Sequence, residues 1–128
     1  MFVETTGATI LVVDDDEDSR LLCERELRRG GYGTHSASSG AEALRFINEN
    51  RKVDLIILDV RMPTMSGIEV LKRLRARNVN IPVILYSDYS AYRNNFLSWL
   101  ADAYLIKSSD LRELKQKIRE LLGFSKSS

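Results

Sequence analysis

Four short apolar runs in this chain each end in a polar or charged side chain, and this arrangement restricts the possible folds more than any other feature. The runs cover 10–13, 55–58, 83–86 and 104–106, and they are followed by Asp14 and Asp15, by Asp59, by Ser87 and by Lys107. Runs of this length between polar residues are typical of buried parallel strands. Ligands of open α/β sheets bind beyond the carboxyl ends of such strands. We therefore expect these polar side chains to converge on one pocket.

Strand-like and helix-like segments alternate along the chain. The predicted strands are Thr9–Val13, Tyr32–Ala37, Val53–Asp59, Pro82–Ser87 and Ala103–Lys107, and the predicted helices are Asp18–Arg29, Ala41–Asn50, Gly67–Arg77, Ser90–Leu100 and Asp110–Leu122. Right-handed crossovers place the helices of repeated βα units on both faces of a parallel sheet. The predicted fold class is therefore α/β, a doubly wound five-stranded parallel sheet.

Length and composition restrict the possible functions. The 128 residues suit one globular domain, which we expect over 8–122, with an N-terminal tail at 1–7 and a C-terminal tail or linker start at 123–128. The net charge of +1 gives no general attraction to nucleic acid or to an anionic membrane. The single cysteine, Cys23, excludes an internal disulfide and favours a core role in a reduced, cytoplasmic setting. The first eight residues do not resemble a secretory signal.

The acidic residues at the strand ends are informative as a set. Single acidic residues at such positions are common and often only cap helices, but Asp14, Asp15 and Asp59 are expected at neighbouring strand ends. Their mutual repulsion would be relieved by a hard cation such as Mg²⁺, which takes oxygen ligands. Lys107 would add a positive charge and Ser87 a hydroxyl donor, a combination that suits a phosphoryl group beside a metal ion.

These motifs resemble those of the receiver domain of two-component response regulators, over about Ala8 to Leu122. The matching segments are Ile10–Asp16, Leu58–Pro63 with Gly67 four residues on, Pro82–Ser87 and Tyr104–Lys107. The resemblance implies the flavodoxin-like (βα)5 fold with strand order 2-1-3-4-5. It also implies a phosphorylated signalling switch that acts in the cytoplasm.

The resemblance also assigns roles to individual residues. Asp59 would accept a phosphoryl group from a phosphohistidine. Asp15, Asp59 and the backbone carbonyl of Arg61 would bind Mg²⁺, and Asp14 would act mainly through a coordinated water. Lys107 would stabilise the phosphoryl oxygens during transfer. Asp16 lies outside the acidic pair, and we expect it to cap a helix or face solvent.

Four positions are expected to govern the response to phosphorylation. Ser87 would move toward the phosphoryl group, and Tyr104 would move into the space that Ser87 vacates, although a plain half-buried strand aromatic is the alternative for Tyr104. Arg61 and Tyr89 occupy positions that flank the path of water to the phosphoryl group in the family. Both side chains are large, so we expect slow self-hydrolysis.

Two departures from the family pattern, at Ser108 and Asp88, are expected to affect the site. Ser108 follows Lys107, where the family usually has a proline in a cis peptide. A cis bond before a residue other than proline costs about 2.5 to 4 kcal/mol, so we expect a trans bond here. Asp88 replaces a small residue after Ser87, where it either caps the next helix or brings a carboxylate close to the pocket.

The expected partners are a sensor histidine kinase or a phosphotransfer protein. A homodimer or an effector could dock on the face formed by the fourth predicted helix, the fifth strand and the fifth predicted helix. The fourth predicted helix carries an aromatic row, Tyr89, Tyr92, Phe96 and Trp99, that would either be exposed on this face or fill the core. No direct contact with nucleic acid or membrane is expected.

The leading hypothesis is a phosphorylated switch that turns over no external metabolite. Two alternatives to it remain. A Mg²⁺-dependent phosphatase with an aspartyl nucleophile would typically need a second aspartate two residues later, where this chain has Arg61. A degenerate receiver that acts as an interaction module without phosphorylation is the other. Ser108 and Asp88 favour it, whereas the intact set of site residues argues against it.

Overall fold

A computed structural model of the protein describes residues 7–49, 51–88 and 100–123. Five strands are present in these ranges: β1 Thr9–Val13, β2 Gly33–Ala37, β3 Leu55–Leu58, β4 Val83–Ser87 and β5 Ala103–Ile106. Four helices accompany them: α1 Glu17–Arg29, α2 Gly40–Asn48, α3 Gly67–Ala76 and α4 Arg112–Leu122. The predicted helix Ser90–Leu100 and its aromatic row lie outside the described residues, apart from Leu100.

The five strands form one parallel sheet in the order β2-β1-β3-β4-β5, which confirms the predicted fold and strand order. Val13 is level with Leu58 on β3, and Leu58 is level with Leu85 on β4. Ser87 is level with Ile106 on β5. The carboxyl ends of β1, β3, β4 and β5 therefore meet at one edge, where the polar residues follow.

Alternate residues of the central strands enter two separate cores. Leu11 and Val13 pack with α2 and α3 on one face, whereas Ile10 and Val12 pack with α1 and α4 on the other. Because both faces are covered, β3 is buried at every position and its sequence shows no alternation of polar residues. The two cores thus hold the strand ends rigidly from both sides.

Side-chain caps set the beginnings of three helices. The carboxylate of Asp16 accepts the backbone N–H of Asp18, which confirms the capping role expected for Asp16. Ser39 caps α2, and Ser66 caps α3. The helix α4 begins at Arg112 and not at Asp110, because the Asp110 carboxylate accepts the backbone N–H of Arg112 from outside the helix.

Cysteine and histidine each occur once in the chain. Cys23 is buried in the core beneath α1, and burial raises the pKa of its thiol to about 12. His35 is exposed on β2, with its ring 4.8 Å from the ring of Phe46. None of the helices that the structure describes has the length and apolar character needed to cross a bilayer.

Arg75 joins three segments at the edge of the sheet opposite the polar residues. Its guanidinium donates to the carbonyls of Val79, Ile81 and Leu100, and it pairs with the carboxylate of Asp102 at 3.2 Å. That carboxylate also accepts the backbone N–H of Val83 at the start of β4. One planar side chain therefore fixes the loop before β4 and the approach to β5.

We expect Arg75→Lys to lower the free energy of unfolding by about 1 to 3 kcal/mol, because an ammonium cannot satisfy four acceptors arranged around a planar fork. Urea denaturation of the wild type and the variant measures the change. Arg73→Lys is the matched control: Arg73 lies on the same helix, and its exposed pair with Glu69 contributes little. Equal losses in the two variants would contradict the role assigned to Arg75.

Candidate functional site: an acidic pocket at the carboxyl edge of the sheet

Backbone hydrogen bonds continue past the strand ends and fix the residues of the site. The N–H of Asp14 donates to Ala37 at 3.1 Å, and the N–H of Asp59 donates to Val13 at 2.9 Å. The N–H of Lys107 donates to the carbonyl of Ser87 at 2.8 Å. The main chain of each site residue is thus an extension of the sheet and not part of a loose loop.

The side chains of the site meet as the sequence predicts. Asp14, Asp15 and Asp59 each present a carboxylate oxygen, and these oxygens all lie within 4.8 Å of one another. The Lys107 ammonium lies 2.7 Å from Oδ2 of Asp14 and 3.4 Å from Oδ2 of Asp59. Lys107 therefore contacts Asp14 more closely than the residue expected to carry the phosphoryl group.

The members of this acidic cluster differ in their access to solvent. Asp14 is 4% exposed and Asp59 is 8% exposed, whereas Asp15 is exposed. The side chain of Asp59 retains 11% of its surface and that of Lys107 retains 12%. A small group can reach Asp59 from solvent, but the carboxylate is far less hydrated than in an unfolded chain.

Burial and charge shift the pKa values of the buried residues in different directions. Burial raises the pKa of Asp59 to about 6, although Lys107 opposes this shift and Asp14 adds to it. Burial also acts to raise the pKa of Asp14, but hydrogen bonds from Lys107 and Ser19 outweigh it and lower this pKa. Burial favours the neutral amine of Lys107, but the two carboxylates raise its pKa overall. Of the two buried carboxylates, Asp59 is thus the one whose negative charge is less well compensated by its surroundings.

Gly67, at the start of α3, lies directly against the backbone of Asp59. Its N–H donates to the carbonyl of Val60 at 2.8 Å. A Cβ atom at position 67 would lie 2.0 Å from the carbonyl oxygen of Asp59, which is far inside van der Waals contact. The absence of a side chain therefore lets α3 approach and fix the loop that carries Asp59.

The other predicted site residues are Ser87, Tyr104, Arg61 and Tyr89. Ser87 is fully buried, and Tyr104 is half-buried on the same face of the sheet, where Tyr104 is level with Leu85. Arg61 is exposed in the loop after β3. Tyr89 lies outside the described residues, so its expected effect on lifetime stays a prediction.

The departures from the family pattern have two structural outcomes. No cis peptide bond occurs in the described ranges, so Lys107 and Ser108 are joined by a trans bond as expected. Asp88 is exposed and lines a cavity of about 360 Å³ next to Lys107. Asp14, Asp15 and Asp59 do not line this cavity, so the position of the Asp88 carboxylate relative to the acidic cluster stays a prediction, and the helix that Asp88 would otherwise cap lies outside the described residues.

Sequence reasoning missed three residues that touch the site. Ser19 and Arg20 lie on α1, and the Arg20 guanidinium donates to the carbonyl of Asp14 at 2.8 Å. Tyr86 lines the same cavity as Lys107. Arg20 lies on the first helix, six residues after Asp14. This spacing could have indicated the contact, because the first turns of that helix must pass over the end of β1.

The raised pKa of Asp59 predicts a pH-dependent cost to stability. Between its ordinary pKa of 3.8 and about 6, the folded state holds more protons than the unfolded state, so stability falls as pH rises through this window. Above this pH window the buried charge of Asp59 destabilises the fold to its full extent, by up to about 3 kcal/mol before solvent screening reduces the effect. In a chelating buffer, Asp59→Asn should therefore unfold at higher urea concentration than the wild type at pH 7.5, with little difference at pH 4.

Asp16→Asn is the matched control for this comparison, since it makes the same change of charge two residues from Asp14 but outside the acidic cluster. Its stability should follow that of the wild type between these pH values. A gap between Asp59→Asn and the wild type that does not change with pH would contradict the burial of an uncompensated charge.

We expect Gly67→Ala to destabilise the protein by about 1 to 3 kcal/mol or more, because the new methyl group must push α3 away from the Asp59 carbonyl. Gly33→Ala in β2 is the control, since the nearest atom to its Cβ would be Thr9 Oγ1, at 3.3 Å. Urea denaturation of both variants measures the difference. Two equally mild effects would show that the close approach at Gly67 is not a constraint.

Comparison with known proteins agrees with this site and fold. The response regulator receiver domain family matches residues 10–119. Among curated proteins, the transcriptional regulatory protein PrrA of Mycobacterium tuberculosis is 41% identical over 119 residues, which cover 91% of this chain and 51% of PrrA. The chain thus spans about half the length of such curated relatives.

Solved structures give the same result. The response regulator protein TrrA of Thermotoga maritima, in complex with Mg(2+)-BeF, is 42% identical with a TM-score of 0.84, covering 89% of this chain and 98% of that one. TrrA in complex with the histidine kinase ThkA matches with 42% identity and a TM-score of 0.83, covering 90% and 98%. The family match, the strand order and the acidic cluster agree, and the chain belongs to the receiver domain family of two-component response regulators.

Proposed function

We propose that this receiver domain is phosphorylated on Asp59 by a phosphohistidine of a sensor histidine kinase or phosphotransfer protein. The observation that carries the proposal is the environment of Asp59. Its carboxylate is largely buried yet reachable, lies in a cluster of three carboxylates and faces the Lys107 ammonium at 3.4 Å. A nucleophile beside a positive charge at a solvent-accessible edge suits transfer of a phosphoryl group.

The residues of the cluster fit a divalent cation. Three carboxylates lie together and two of them contact the single ammonium of Lys107, so the group carries an excess of negative charge at neutral pH. We assign the role of Mg²⁺ ligands to Asp14, Asp15, Asp59 and the Arg61 carbonyl, with Asp14 acting through water. Bound there, Mg²⁺ would supply charge neutralisation for phosphoryl oxygens. Support comes from the exposed position of Asp15 beside two buried carboxylates, and from the Mg(2+)-BeF complex of the similar TrrA.

The protein's own residues divide the transfer step between them. An oxygen of Asp59 attacks the phosphorus, an oxygen–phosphorus bond forms, and the nitrogen–phosphorus bond breaks as the imidazole leaves with its electron pair. Lys107 offsets the charge on the phosphoryl oxygens, and it can move the short distance from Asp14 because its stem is flexible. Ser87 offers a hydroxyl to the same oxygens.

The same geometry supports a role for Ser87 and Tyr104 in the switch. They lie on one face of the sheet on adjacent strands, and Tyr104 is two residues before Ile106, the partner of Ser87. A shift of Ser87 toward a phosphoryl group opens space on the side where Tyr104 lies half-buried. Phosphorylation then changes the population of two packings through its contacts with Ser87 and Lys107.

Lifetime and docking complete the proposal. Arg61 is exposed two residues after Asp59, and together with Tyr89 it would slow the approach of water to the phosphoryl group. The kinase complex of the similar TrrA supports a histidine kinase as the partner. A homodimer or an effector would use the face that includes β5 and α4. The chain would act in the cytoplasm and turn over no external metabolite.

Incubation with Mg²⁺ and acetyl phosphate tests the proposal directly. The wild type should gain the mass of one phosphoryl group by intact-mass measurement, because acetate leaves as Asp59 attacks. Asp59→Asn should gain none, since it lacks the nucleophile. Removal of Mg²⁺ by EDTA should reduce phosphorylation of the wild type by at least tenfold, on the basis of the charge excess in the cluster.

Asp16→Asn is again the control, because it changes a neighbouring acidic residue that only caps α1, and asparagine caps equally well. It should be phosphorylated like the wild type. A wild type that gains no mass would favour an interaction module, for which the presence of the acidic Asp88 in the same cavity as Lys107 is the supporting observation. Sustained turnover of a chromogenic phosphate ester would favour a phosphatase.

A further inference from the structure

Few contacts within the loop after Lys107 hold this loop in place. Lys107 is the first residue beyond β5, and its N–H is fixed by the carbonyl of Ser87. The next contacts are local: Ser108 Oγ accepts the N–H of Asp110, and Asp110 pairs with the exposed Arg112. Such short-range turns shape the loop but do not fix its position relative to the sheet.

Tyr86 supplies a contact between this loop and the sheet. Its hydroxyl lies 3.4 Å from the carbonyl oxygen of Ser108 and accepts the N–H of Ser108 at 3.5 Å. Tyr86 is on β4, immediately before Ser87, and is only 7% exposed. One hydroxyl thus meets both backbone groups of the residue that follows Lys107.

Tyr86 and Ser87, which are neighbours on β4, therefore hold the main chain at Lys107 and at the residue that follows it. The carbonyl of Ser87 receives the N–H of Lys107, and the hydroxyl of Tyr86 contacts the backbone of Ser108. The Cα of Lys107 is fixed between these contacts, and its four-carbon stem starts from a defined point. The ammonium must reach both Asp14 and Asp59, so the direction in which the stem leaves the backbone matters.

We propose that Tyr86 is a positioning residue for phosphoryl transfer, whose hydroxyl acts through Ser108 to place the Lys107 ammonium. This inference rests on the proposed function, because it assumes that Lys107 assists transfer to Asp59. The trans peptide bond before Ser108 is part of the arrangement: Ser108 keeps an N–H that a proline would lack, and Tyr86 accepts it.

The competing explanation is that Tyr86 only fills the core. Its ring belongs to the apolar cluster beneath α1 and α4, where a phenylalanine would pack equally well. The hydroxyl is the atom that separates the two explanations. Tyr86→Phe removes it and leaves the ring, so this variant should fold with near wild-type stability while the loop loses its contact with the sheet.

The test is the rate of phosphorylation by acetyl phosphate with saturating Mg²⁺, measured by intact mass. Tyr86→Phe should slow the reaction roughly three- to tenfold through misplacement of Lys107. Tyr32→Phe, which removes the hydroxyl of another partly buried tyrosine at the opposite edge of the sheet, should leave the rate unchanged. An unchanged rate for Tyr86→Phe, or equal slowing by Tyr32→Phe, would overturn the proposal.

A double-mutant cycle with Lys107→Gln separates positioning from a general structural effect. If Tyr86 acts through Lys107, Tyr86→Phe should cause no further slowing in the Lys107→Gln protein. Slowing by the same factor in both backgrounds would overturn the proposal and leave the function of Asp59 intact. A wild type that takes no phosphoryl group would overturn both, so the two failures are distinguishable.

Discussion

The attraction between the Lys107 ammonium and the carboxylates of Asp14 and Asp59 is the interaction on which the site depends. It exists because β1, β3 and β5 run in the same direction and end at one edge. The attraction is incomplete, since a third carboxylate, that of Asp15, lies within the same cluster. The fold therefore assembles a group of charges that its own side chains do not balance, and this imbalance prepares the edge for a cation and a phosphoryl group.

Such an imbalance lowers stability, and the rest of the structure offsets it. Two apolar cores on opposite faces hold the central strands, and Gly67 allows α3 to press against the loop of Asp59. Arg75 fixes the opposite edge of the sheet through four acceptors. The site residues can then stay close together despite their repulsion, because their backbones are held by groups that take no part in the chemistry.

The strands and the convergence of Asp14, Asp59 and Lys107 could be predicted from the sequence, since polar residues interrupt apolar runs at the point where each strand ends. The strand order followed only from the resemblance to receiver domains. The starts of α1, α2 and α4 lie one or two residues from the predicted ones, because capping geometry is not visible in hydrophobic periodicity.

Contacts between distant residues could not be predicted. Arg75 and Asp102 are separated by 27 residues, and Tyr86 and Ser108 by 22. Nothing in the composition of either segment indicates that they meet. The closeness of Gly67 to the Asp59 carbonyl likewise depends on the exact approach of a helix to a loop.

The adjacency of Tyr86 and Ser87 on β4 has a consequence for how a signal could spread. Successive residues of a strand point to opposite faces, so these two neighbours belong to different halves of the molecule. Ser87 lies on the same face of the sheet as Tyr104, whereas the hydroxyl of Tyr86 contacts the backbone of Ser108. The packing on the side of Tyr104 could then change while the packing against α1 and α4 stays the same. Substitutions only one position apart would therefore affect different sides of the sheet.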